Sequence, residues 1–76
     1  MKNRCTQEDL VQDIFELFEI DIPTYHSDLI EIGLSSYDLI SLIHYELIKY
    51  KKKSVNQFVI DDVRNVVKIC NYINSK

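Results

Sequence analysis

Three stretches of this chain repeat their apolar residues every three or four positions, and that period limits the fold more than any other feature. Leu10, Ile14, Leu17 and Phe18 recur at i, i+4, i+7 and i+8. Leu39, Ile40, Ile43, Leu47 and Tyr50 line one side of a second stretch, with Leu42 at its edge. Val66, Ile69, Cys70 and Ile73 keep the spacing i, i+3, i+4, i+7. Each stripe is apolar on one side only, so each helix needs the others to bury it. One glycine and one proline are too few for an all-β fold full of tight turns. The expected fold is all-α: a small four-helix bundle of three main helices and one short helix, with a long loop between helices one and two. The 76 residues make a single domain, 1–76. A chain near this size buries roughly 60% of its unfolded surface, so modest stability is expected.

Local signals place the ends of these helices. Thr6 followed three residues later by Asp9 is a capping-box-like start. Asp13 and Glu16 fall largely off the apolar face, and the pattern stops near Glu19. Pro23 discourages helix at Ile22. Residues 20 to 34 carry no helical period, and a loop this long in a small domain is generally functional or disordered. Ile20, Ile22, Leu29, Ile32 and Leu34 argue against disorder, because they can pin the loop to a core. The second helix is expected from Ser36 to about residue 50, with Tyr37, Ser41, His44 and Ile48 on its polar side. Glu46 falls near the buried stripe, so either the helix rotates slightly or Glu46 snorkels outward. Lys49, Lys51, Lys52 and Lys53 suit a solvated helix C-terminus. Residues 55–64 are expected to form a loop and a very short helix. Val55 and Phe58 serve there as anchors, and Asp61 or Asp62 caps a turn containing Val63. Asn65 then caps the last helix.

Composition narrows the function classes. Twelve acidic against nine basic residues give a net charge of −3, whereas nucleic-acid binders tend to a positive excess. Met1-Lys2-Asn3-Arg4 leads into no apolar signal region, and no run of about 18 apolar residues exists, so the expectation is a cytoplasmic protein with no membrane span. Cys5 and Cys70 are then expected as free thiols, Cys70 as a small hydrophobe on its helix. A serine nucleophile needs a base within hydrogen-bond reach. His44 lies two turns beyond Ser36 on a different side, and nothing in the sequence places His26. No zinc-ligand spacing and no glycine-rich phosphate loop are present. Catalysis by the chain and a metal site are therefore not expected.

One stretch stands out, Asp28-Leu29-Ile30-Glu31-Ile32-Gly33-Leu34-Ser35-Ser36-Tyr37-Asp38-Leu39-Ile40. It holds the only glycine, ends the loop and opens a strongly apolar helix. Gly33 permits positive φ. Ser35 and Ser36 sit where an N-cap belongs, at a helix end whose free N–H groups and dipole favour a phosphate. Asp28 to Tyr37 resembles the attachment motif of acyl and peptidyl carrier proteins, Asp-x-L-x-x-L-G-x-D-S-L. Asn-Val-Val-Lys-Ile-Cys-Asn-Tyr-Ile (65–73) resembles their last helix. The resemblance implies that Ser36 is esterified by 4'-phosphopantetheine, transferred from coenzyme A by a phosphopantetheinyl transferase. The arm would then carry acyl or aminoacyl thioesters from a loading ligase to a downstream acyltransferase or synthase, in lipid, polyketide, nonribosomal peptide or D-alanyl transfer pathways. It further implies a monomer whose partners dock at Ser35, Tyr37, Asp38, Ser41, His44 and Ile48. Ser35 replaces the usual Asp and Tyr37 the usual Leu or Met. Val55-Asn56-Gln57-Phe58 and Asp61-Asp62 resemble D-alanyl carriers. The alternative from another class is an unmodified carrier-like helical adaptor that binds partner proteins.

Overall fold

Side-chain caps decide where each helix begins. In the computed structural model, which describes residues 4–53 and 58–76, the Thr6 hydroxyl accepts the Asp9 N–H at 3.2 Å and opens α1 (Gln7–Phe18). Ser35 and Asp38 form a reciprocal capping box that opens α2 (Ser36–Lys49). The Asn65 side chain accepts the Lys68 N–H at 2.8 Å and opens α3 (Val66–Asn74). Each cap satisfies a donor that the first helical turn leaves without a partner. At the other end of α1, Glu19 adopts φ 58° and returns its N–H to the Phe15 carbonyl, which stops the helix. A single 3-10 turn (Ile60–Val63) precedes α3. Its N-cap is Val59 with no side-chain hydrogen bond, so neither Asp61 nor Asp62 caps it, and Asp61 pairs instead with Arg64 at 3.2 Å. No strand occurs among the described residues. Val55, expected as an anchor, lies outside them. Phe58 is half-buried, edge-on to the Tyr72 ring at 5.7 Å.

α3 packs against α1, α2 and the 3-10 turn, and its Val66, Ile69, Cys70 and Ile73 are all buried. α2 turns inward the row Leu39, Leu42, Ile43, Glu46, Leu47 and Tyr50, an unbroken i, i+3, i+4, i+7, i+8, i+11 stripe. This corrects the expected face. Leu42 is central rather than peripheral, and Ile40 is 39% exposed. Glu46 does not snorkel: the helix rotates and encloses it completely. α1 turns in the same sense, burying Asp13 with Leu10 and Ile14 and leaving Leu17 exposed, against the expectation that Asp13 points away.

Both rotations bring polar side chains together in a shared cluster. Lys49 Nζ reaches Asp13 Oδ2 at 2.7 Å and joins α2 to α1, so Lys49 is not merely a solvated helix end. Burial would lower the Lys49 ammonium, but the Asp13 carboxylate outweighs it and holds the pKa up. The Cys5 thiol lies 3.9 Å from Glu46 Oε1, while Glu46 Oε2 has no hydrogen-bond partner among the described residues. Burial foremost, then the nearby Asp13 carboxyl, pushes Glu46 from 4.5 up to about 9. Glu46 is therefore a neutral carboxylic acid at pH 7, which is how a buried carboxyl avoids the cost of an unpaired charge.

Two outcomes follow from this packing. Leu42→Ala should cost about 3 kcal/mol in denaturant unfolding and Ile40→Ala less than about 1 kcal/mol; equal costs would restore the expected face. Glu46 contributes full stability below pH 4.5, where folded and unfolded chains are both protonated, and its contribution is lost as pH rises towards about 9. Unfolding free energy should fall by on the order of 1 kcal/mol per pH unit across that window. Glu46→Gln should flatten the profile, and an unchanged slope in that variant would contradict the assignment.

Candidate functional site

The loop between α1 and α2 is built before it is functional. Asp28 Oδ1 accepts the Ile30 N–H at 2.9 Å and the Glu31 N–H at 3.4 Å, while its other oxygen meets the Arg64 guanidinium at 2.6 Å. Desolvation works to raise the Asp28 carboxyl, but Arg64 and these two amides outweigh it and hold it below the usual range. Arg64 acts a second time through its backbone, whose carbonyl takes the Leu29 N–H at 2.7 Å. Beyond that clamp the chain closes a turn in which the Leu34 N–H returns to the Leu29 carbonyl at 3.0 Å. Leu29 and Leu34 are buried in the core. Gly33 sits in the turn at φ 129°, with room around its Cα but a backbone conformation that L side chains rarely adopt. Ahead of it, Thr24 and Ser27 tie a second turn through their hydroxyls, with the Thr24 N–H donating to Ser27 Oγ at 3.2 Å. His26 is exposed there.

The turn delivers the chain to two serines with different tasks. Ser35 Oγ accepts the Asp38 N–H at 3.1 Å and Asp38 Oδ2 accepts the Ser35 N–H at 3.0 Å. That box uses the carboxylate and amide of Asp38 to fix the first turn of α2. Ser36 is the first helical residue and is exposed. Its own amide and that of Tyr37 belong to the set of donors that a helix start leaves outside the ladder. A hydroxyl on a fixed, exposed first turn is open to attack chemistry supplied from outside, and a phosphoester formed on it would sit in the favourable field of the helix end.

The remaining candidate residues occupy the outer face of α2. Tyr37 is 74% exposed and Ile48 is 76% exposed, and Ser41 and His44 lie exposed between them. Asp38 is half-buried and committed to the box. Ile40 and Tyr45, which sequence reasoning did not place there, add exposed apolar surface beside this row. Arg64 was also missed, since a lone arginine at the end of a loop carries no sequence signal for the clamp it makes. No family model, curated protein or solved structure matches the chain.

Separating the two serines gives a direct check. Ser35→Ala should lower stability by about 1 kcal/mol through loss of the cap, while Ser36→Ala should change it by less than about 0.5 kcal/mol. Denaturant unfolding of both variants measures this, and a larger loss at Ser36 would mean that its hydroxyl is structural.

Proposed function

We propose that the chain is a free-standing acyl or aminoacyl carrier protein, modified with 4'-phosphopantetheine on Ser36. In this reading the three helices and the 3-10 turn close as a small four-helix bundle of the carrier type, whose long connection presents the modified residue. The observation that carries it is the exposed Ser36 on the first turn of α2, behind a loop clamped by Asp28 and Arg64. The residues present fit the group: the site is open, its first turn is fixed by a neighbouring side chain, and the helix end suits a phosphodiester.

The chain's own share of the chemistry is positional. Ser36 offers Oγ to a phosphopantetheinyl transferase that brings the base, magnesium and coenzyme A. Ser35 and Asp38 hold the first turn rigid, so that the hydroxyl is presented in one place. When attached, the arm supplies a thiol that carries cargo as a thioester. Tyr37, Ser41, His44 and Ile48 then form the face for the loading ligase and the downstream acyltransferase or synthase. That face carries little charge, because Tyr37, Ser41 and Ile48 have none and Glu46 is buried away from it. Its partners would therefore be matched by apolar contact rather than long-range steering. The carrier acts as a cytoplasmic monomer and is not itself an enzyme. A second reading, an unmodified helical adaptor, draws on the same exposed Tyr37 and Ile48.

Incubation with coenzyme A and a broad-specificity phosphopantetheinyl transferase tests the choice by intact mass. Wild type and Ser35→Ala should gain one phosphopantetheine and Ser36→Ala none. Absence of any gain with several transferases would overturn the carrier reading in favour of the adaptor.

A further inference from the structure

Cys5 and Cys70 stand 65 positions apart in the chain, yet their sulfurs are in contact at 3.4 Å, both buried. The contact is held from two sides. Cys70 is fixed in α3. Cys5, just before α1, is gripped by Asn74, whose Oδ1 accepts the Cys5 N–H at 2.8 Å and whose Nδ2 donates to the Cys5 carbonyl at 2.9 Å. Both cysteines, though buried, also border a pocket of about 310 Å³ whose lining includes Arg4, Thr6, Tyr25 and Asn74, room enough for a small oxidant.

We propose that Cys5 and Cys70 are an oxidation site, at which hydrogen peroxide closes an intramolecular disulfide that ties the segment before α1 to α3. The two sulfurs share one S–H contact in which either can donate; with Cys70 as the acceptor, that contact lowers its thiol and makes it the sulfur that reacts first. The Cys70 thiolate attacks one peroxide oxygen; the O–O bond breaks, and the departing hydroxide takes up a proton to leave as water. Cys70 is then a sulfenic acid. Cys5 gives up its proton and attacks the Cys70 sulfur; the S–O bond breaks, and the second hydroxide leaves with that proton as water. Two thiols and one peroxide become one disulfide and two waters. Bond formation asks the sulfurs to close by roughly 1.4 Å from their 3.4 Å contact to the length of a disulfide. The chemistry is independent of Ser36.

The test treats the folded, reduced protein with hydrogen peroxide, blocks remaining thiols by alkylation and maps the proteolytic peptides. The expected product is a Cys5–Cys70 cross-linked peptide in a monomer. Its melting temperature should rise on the order of 10 °C, because the bridge closes a long loop, and dithiothreitol should reverse the rise. Cys5→Ser cannot close and should show no rise. Cysteines that stay open to alkylation, sulfinic acid at Cys70 without a cross-link, disulfide-linked dimers, or a rise that persists in Cys5→Ser would each overturn the proposal.

Discussion

Arg64 holds the α1–α2 connection in place, and the presentation of Ser36 depends on that. Its guanidinium meets Asp28 while its backbone carbonyl takes the Leu29 amide, so one residue fixes both the charge and the register of the loop. Ordering a connection this long costs about 1–2 kcal/mol of backbone entropy per residue. Polar turns alone would not offset that. The loop also buries Leu29 and Leu34 and packs Ile20, Ile22, Ile30 and Ile32 against the core, which makes it a built element with a defined exit into α2.

α2 carries two unlike faces because of where its one buried acid goes. Glu46 enters the core beside Cys5, and Asp13 and Lys49 cross-link α1 and α2 next to it. Such buried polar contacts are weak contributors to net stability. They accompany the rotation of both helices, which turns Asp13 and Glu46 inward. That rotation moves Ile40 outward and leaves Tyr37, Ser41, His44 and Ile48 along one exposed row. A core decision thus shapes the surface that the carrier reading uses.

Residues whose role is settled by near neighbours were legible in the sequence. Thr6, Ser35 and Asn65 announce themselves as caps because their partners lie three positions on, and the helical periods followed from spacing alone. Gly33 was legible as the positive-φ position. Residues whose role is settled across the fold were not. Asp13 and Glu46 looked like outward or edge positions, since nothing local shows that Lys49 and Cys5 will meet them. Ile40 and Leu42 exchanged places for the same reason. Arg64 and Asn74 act through partners 36 and 69 positions away respectively, beyond any periodic signal. Local signals also place Ser36 at a loop-to-helix junction, and the residue is exposed there.

The most direct measurement of whether this loop is a built element is native-state amide hydrogen exchange at Leu29 and Leu34. The account predicts exchange on the order of 100-fold or more slower than in an unstructured chain at both amides, with that protection reduced in Arg64→Ala while Ile43 in the core of α2 stays slow. Exchange at Leu29 and Leu34 at the rate of an unstructured peptide in the wild type would contradict it.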